Sequence, residues 1–252
     1  HIDDKKAYDT YFCLTEHIRL KPDIFFEEFT PLLIYKQSDY KSKWIAIRDQ
    51  RRDKHEQYLS KIAFTDLKAY ELIFQAIPNN QVIHLSNSST VRYAQLFKLK
   101  TGFKVYCNRG TSGIDGSTST ALGAAIVGNT PTTLITGDLS FFYDSNALWN
   151  DYIPDDFRII LINNSGGGIF RILPGKEETE NFSRFFETKH NLSATHLCEM
   201  YGFDYIKATD EKETELGLKL LYENSGKPKL LEVFTPRTIN DSTLIEYFKS
   251  FV

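Results

Sequence analysis

Glycine is absent from the first 101 residues of this 252-residue chain. Loops that need positive φ, or a backbone pressed against a ligand, are therefore not to be sought there. Cysteine is scarce and odd in number: Cys13, Cys107 and Cys198 lie more than 90 residues apart, which excludes a CxxC metal or redox pair. Their plain reading is three reduced thiols in a cytosolic protein. No apolar run approaches the ~18 residues of a membrane span, and the start, His1-Ile2-Asp3-Asp4-Lys5-Lys6, has no secretory apolar core. Excess positive charge is missing as well. A net charge of -3 argues against a basic face for nucleic acid. With 41% apolar and 25% charged residues, the chain is neither disordered nor a coiled coil. Its length suits one large α/β domain or two small ones.

What is present is concentrated in the middle. Eleven of the 14 glycines lie between Gly102 and Gly175. Around them, short apolar runs alternate with helical patterns. Residues 82–85, 104–107, 133–136, 157–162, 204–207 and 229–233 read as buried strands. The stretches 66–77 (with Thr65 as N-cap), 90–98, 118–127, 145–151, 192–201 and 214–224 read as helices. The order predicts an α/β fold, a six-stranded mainly parallel sheet with helices on both faces. The front of the chain reads as helical, and the mixed run Arg48–Lys54 as a solvated helix face.

Ligands of such sheets sit at the carboxyl ends of the strands, where Ser86–Ser89, Asn108–Gly113, Gly137–Ser140 and Asn163–Gly168 fall. A Walker loop, a G-x-G-x-x-G fingerprint and a G-x-S-x-G elbow are all absent. What remains is Asp138 after one strand and Asn163-Asn164 after the next. Asp138 and Asn164 are 26 positions apart, room for one helix and a return strand. Adjacent parallel strands would bring them to one sheet edge. A carboxylate, an amide oxygen and a backbone carbonyl make a hard, low-charge oxygen site that suits Mg²⁺ shared with substrate phosphates. A helix near Ser145 and the free N–H groups around Leu139-Ser140 could receive a diphosphate. Alone, the pair could be a helix cap and an Asn turn; the glycine loops beside it favour the metal.

The Gly-Asp-x with Asn-Asn downstream resembles the metal and diphosphate signature of thiamine-diphosphate enzymes. Asn108-Arg109-Gly110-Thr111-Ser112-Gly113-Ile114-Asp115-Gly116, Gly137-Asp138-Leu139-Ser140-Phe141-Phe142-Tyr143-Asp144 and Asn163-Asn164-Ser165-Gly166-Gly167-Gly168-Ile169-Phe170 resemble one branch of that family. That branch is the 2-succinyl-5-enolpyruvyl-6-hydroxy-3-cyclohexene-1-carboxylate synthases of menaquinone biosynthesis, and the likeness covers about residues 80–175. The resemblance implies that Asp138, Asn164 and the Gly166 carbonyl bind Mg²⁺ or Mn²⁺, with Asn87, Leu139, Ser140 and Gly167 also at the cofactor. Ile114 would be the bulky residue that keeps the cofactor bent. Ser88, Arg92 and Arg109 would line the substrate pocket, with Ile169, Phe170 and Leu173 as its apolar wall. Arg92 also reads as an ordinary surface helix residue. Arg171 departs from the smaller residue expected there and could alter the pocket mouth.

The implied reaction decarboxylates 2-oxoglutarate and adds the carbanion to isochorismate; arginines suit such carboxylate substrates. Another thiamine-diphosphate-dependent 2-oxo acid decarboxylase or lyase, and a non-catalytic binding module, are the other readings. The resemblance further implies a cytoplasmic homodimer or homotetramer, with no nucleic acid and no integral membrane contact. It places residues 1–40 at the end of a middle α/β domain, 41–62 in a linking helix and 63–252 in the thiamine-diphosphate-binding domain. In the family, the glutamate that activates the cofactor lies on a separate N-terminal domain. The expectation is thus a C-terminal portion that carries the metal, diphosphate and thiazolium half of a site and is inactive as an isolated 252-residue chain.

Overall fold

Six of the apolar runs become strands of one sheet in the computed structural model, which describes residues 1–172 and 179–251. They are β1 (Val82–Leu85), β2 (Lys104–Cys107), β3 (Thr132–Gly137), β4 (Arg158–Asn163), β5 (Asp204–Ala208) and β6 (Lys229–Phe234). Their order is β2-β1-β3-β4-β6-β5, and every pairing is parallel. The expected class is therefore met, with the sheet wholly rather than mainly parallel.

The helices are α1 (Pro22–Phe29), α2 (Tyr40–Leu59), α3 (Asp66–Ala76), α4 (Ser89–Ala94), α5 (Ser117–Val127), α6 (Asp138–Tyr143), α7 (Thr195–Tyr201), α8 (Glu211–Tyr222) and α9 (Asn240–Lys249). Side chains alternate along β4. Ile160 and Ile162 face one core with α3, α8 and α9, while Ile159 and Leu161 face another with α5 and α7. All four are buried. Each such side chain contributes about 1.5–3 kcal/mol, so covering both faces is what favours the all-parallel arrangement.

The helix expected at 145–151 is displaced. α6 begins at Asp138 itself, and only a 3-10 turn, Ser145–Leu148, follows. Thr65 precedes α3 but does not cap it through its side chain: its Oγ1 is buried without a hydrogen bond. The Asn240 side chain takes over, its Oδ1 accepting from Asp66 N at 2.8 Å. A cap formed across 174 residues cannot be seen in local sequence.

The chain divides into two units, His1–Gln50 and Arg51–Val252, and the boundary falls within α2. The first carries α1, a short bridge between Ile2 and Ile18, and no buried residue. The second holds the whole sheet. Among the described residues no helix is long and apolar enough to cross a membrane.

Candidate functional site

The chain runs from β1 outward to β2, then returns to β3 on the other side of β1. This reversal opens a crevice at the carboxyl ends of β1 and β3, the usual ligand position in such sheets. A cleft of about 480 Å³ lies there. It falls in the range of small-molecule sites, roughly 300–1,000 Å³. Asn87, Ser88, Arg92, Arg109, Ile114, Asp138, Leu139, Ser140, Asn164, Gly166, Gly167, Ile169 and Phe170 line it. Leu173, expected in the same wall, lies outside the described residues.

Register brings the two candidate ligands together. Gly137 pairs with Ile162, so Asp138 and Asn163-Asn164 follow at neighbouring strand ends. Asp138 is buried; its Oδ1 accepts from Leu139 N at 2.6 Å and its Oδ2 from Gly166 N at 2.9 Å. Gly166 can make this approach because it has φ +143°, a region that strains any side chain. Its carbonyl accepts from Gly168 N at 3.1 Å and keeps a second lone pair. Asn163 turns away, donating to Glu232 Oε1 at 2.7 Å and to the Leu192 carbonyl at 2.9 Å. Asn164 donates through Nδ2 to Asp66 at 2.9 Å, and its Oδ1 accepts no hydrogen bond from the described residues.

That leaves one carboxylate, one uncommitted amide oxygen and one carbonyl on the cleft wall. The set fits a hard divalent cation that completes its shell with phosphate and water. Among the described residues no group of three or more His, Cys, Asp or Glu is arranged for a metal.

The other cleft residues hold one another. Asn87 donates to the Asn108 and Gly113 carbonyls at 2.5 and 2.6 Å, pinning the loop after β2 to β1. Its Oδ1 accepts from Arg109 Nη1 at 3.1 Å. Both ends of this amide therefore engage protein. Ser140 Oγ donates to the Ile114 carbonyl at 2.6 Å and sets the height of Ile114 in the cleft. Ser88 sits at φ +71° just before α4, a strained backbone for a non-glycine residue, and its carbonyl accepts from Arg92 Nη1 at 2.7 Å. Arg92 and Arg109 are otherwise exposed.

Three features escaped the sequence. Asp66 and Tyr70, on α3, reach the floor of the cleft. Asp66 is fully buried, and burial pushes its carboxyl up to about 6, against hydrogen bonds from Thr235 and Asn164. Burial also raises the Tyr70 phenol, whose hydroxyl donates to Thr90 Oγ1 at 3.0 Å. One signal was available for Asp66: a helix leading into a parallel strand runs antiparallel to it, so its first residue lies at the carboxyl edge of the sheet. His190 is the third. Leu192 N donates to its Nδ1 at 3.1 Å, which assigns the neutral ring's proton to Nε2. That Nε2 lies 3.2 Å from Asp138 Oδ2, without the alignment of a formed hydrogen bond. Glu232 anchors this loop by accepting from Ser193 Oγ, Ala194 N and Tyr205 OH.

Arg171 is not among the described residues that line the cleft. It is buried, and its guanidinium grips Glu187 at 2.5 and 2.8 Å, while Arg237 contacts both carboxylate oxygens at 2.8 Å. Burial alone would raise the Glu187 carboxyl; the hydrogen bonds and charges of the two arginines hold it below the ordinary value instead. The Glu187 carbonyl accepts from Gly167 N at 2.6 Å, so this ion-pair cluster supports the glycine loop from behind.

Residues 87–233 match the family described as thiamine pyrophosphate enzyme, C-terminal TPP binding domain. Three relatives carry the name 2-succinyl-5-enolpyruvyl-6-hydroxy-3-cyclohexene-1-carboxylate synthase. The protein of Christiangramia forsetii is 58% identical over 248 residues, covering 98% of this chain and 43% of its own length. That of Flavobacterium psychrophilum is 52% identical over 250 residues, covering 99% and 45%. That of Porphyromonas gingivalis is 38% identical over 257 residues, covering 98% and 44%. The chain thus spans less than half the length of these relatives. The matched segment starts at Asn87, at the end of β1, and closes within β6, enclosing the strand-end loops from β1 to β4. The chain belongs to the thiamine pyrophosphate enzymes and contains their C-terminal cofactor-binding domain.

Proposed function

We propose that the chain forms the cofactor-holding half of a 2-succinyl-5-enolpyruvyl-6-hydroxy-3-cyclohexene-1-carboxylate synthase, taking 2-oxoglutarate and isochorismate as substrates. The observation that carries this reading is the 58% identity, over 98% of the chain, to a relative of that name. Thiamine diphosphate, when bound, supplies the electron sink that lets a 2-oxo acid lose CO₂.

In this reading Asp138, Asn164 and the Gly166 carbonyl hold Mg²⁺ or Mn²⁺ against the diphosphate. Leu139, Ser140 and Gly167 pack beside it, and Asn87 fixes the loop that carries Ile114. Ile114, held through its carbonyl by Ser140, presents the apolar surface under the cofactor ring. Arg92 and Arg109 stand at the open side of the cleft, where a substrate carboxylate can meet a guanidinium fork. Ser88 adds a polar contact, while Ile169 and Phe170 keep water from the reacting carbons. The domain limits 1–40, 41–62 and 63–252, a homodimer or homotetramer, and a cytoplasmic location complete the reading; Cys13, Cys107 and Cys198 unpaired as thiols accord with that location.

The test is turnover by the full-length protein. With thiamine diphosphate and Mg²⁺, CO₂ release from 2-oxoglutarate should yield the adduct only when isochorismate is present. Decarboxylation indifferent to isochorismate would favour another 2-oxo acid lyase. Arg109→Ala should raise the Michaelis constant of a carboxylate substrate more than it lowers turnover.

A further inference from the structure

We infer that Asp66 is a positioning residue that turns the Asn164 carboxamide oxygen-first toward the cation, an inference that rests on the metal site proposed above. An asparagine amide presents either an oxygen or an NH₂ group when rotated by half a turn, and only the oxygen can ligate Mg²⁺. The choice belongs to whatever binds the other end. Here that partner is a carboxylate, which in its ionised form accepts and never donates.

Asp66 Oδ2 accepts from Asn164 Nδ2 at 2.9 Å, and the Asn164 oxygen is left without a partner among the described residues. Asp66 is itself held in place. Its Oδ1 accepts from Thr235 Oγ1 at 2.5 Å, just beyond β6, and its backbone N–H donates to Asn240 Oδ1 at 2.8 Å. The Asn240 amide donates in turn to the Pro236 carbonyl at 2.7 Å. The start of α3, the end of β6 and the start of α9 therefore converge on one residue, 2% exposed, whose carboxylate turns its remaining oxygen to the candidate ligand. Among the described residues no cation pairs with it; its side-chain donors are one hydroxyl and one amide. Such outer partners of ligands typically change metal affinity by 10–100-fold when removed. Asp66 lies outside the segment 87–233 that matches the family, so that match does not assign it a role.

The experiment measures Mn²⁺ affinity of the full-length protein by electron paramagnetic resonance, beside its metal-free melting temperature. Wild type must first bind Mn²⁺ with thiamine diphosphate; failure there removes the proposed function rather than this inference. Asp66→Leu keeps the branched side-chain skeleton and deletes every acceptor, and it should weaken Mn²⁺ about tenfold or more. Asp66→Asn removes the charge equally, but its oxygen can face Asn164 while its NH₂ turns to the Thr235 hydroxyl. It should therefore recover most of that loss. In an Asn164→Asp background both ends of the ligand are oxygen, and the penalty of Asp66→Leu should shrink. Unchanged affinity in Asp66→Leu, equal losses in the Leu and Asn variants, or an equal penalty in both backgrounds would each overturn the inference. Should Asp66→Leu not fold, Thr235→Val frees one Asp66 oxygen and should lower Mn²⁺ affinity several-fold; no change there overturns it too.

Discussion

Replacing Gly166 by alanine tests the geometry of the cation loop most directly. Gly166 has φ +143°, a conformation that L side chains rarely adopt. An added Cβ would stand 2.5 Å from the Glu187 carbonyl oxygen and 3.4 Å from that of Thr188. Both obstacles are backbone, so no side chain can swing aside. The conformational strain is about 1–3 kcal/mol. Moving residues 187–188 also loosens the 2.6 Å hydrogen bond from Gly167 N to Glu187 O, worth about 1 kcal/mol. Gly166→Ala should thus cost about 2–4 kcal/mol. At about 2–4 °C per kcal/mol for a domain of this size, thermal unfolding should fall by roughly 4–16 °C. Gly110→Ala is the control: nothing lies within 4 Å of its added Cβ, and it should melt close to wild type. The two variants compared by circular dichroism decide the matter. Equal melting temperatures would mean that the Gly166 loop is not wedged against Glu187 as described.

Glu187→Gln leaves Arg171 and Arg237 facing a neutral amide at a buried position, and should cost on the order of 3 kcal/mol by urea unfolding. Because the Glu187 carboxyl is held below its ordinary 4.5, the unfolded chain takes up that proton first as pH falls. The stabilisation is complete above about pH 4.5 and disappears as pH drops through the folded value, so the variant should lose part of the acid sensitivity of wild type. His84 behaves in the complementary way: burial holds it below 6.5, so the unfolded state binds more protons below that value and stability rises with pH up to it. His84→Phe should flatten this slope just below pH 6.5. Measuring the difference from wild type separates the effect from Asp66, whose raised carboxyl titrates in the opposite sense. Finally, Asp138→Ala removes the one carboxylate of the proposed ligand set and should abolish metal-dependent thiamine diphosphate binding in calorimetry. Unchanged affinity would place the metal elsewhere.

Sequence by itself determined the sheet and the wall of the cleft. Strand runs such as 157–162 are apolar on both faces, and glycine collects in the loops that follow strands, so local composition already implies a parallel sheet with ligand loops at one edge. The spacing of Asp138 and Asn164 sufficed to bring them to neighbouring strand ends, since parallel register leaves little freedom once the crossover is one helix long. Tertiary structure alone decided what stands behind that wall. Asp66 looks like an ordinary first-turn acid, and only the packing of α3 beside β6 and α9 converts it into a buried carboxylate bonded to Asn164 and Thr235. Arg171 follows the pocket residue Phe170, yet it grips Glu187, 16 positions on, whose carboxylate also takes Arg237, a further 50 positions on. His190 sits in a polar stretch that gives no hint of the Asp138 carboxylate beside it. The physical reason is common to all three. Each packs against side chains from distant segments, and local sequence carries no record of that convergence.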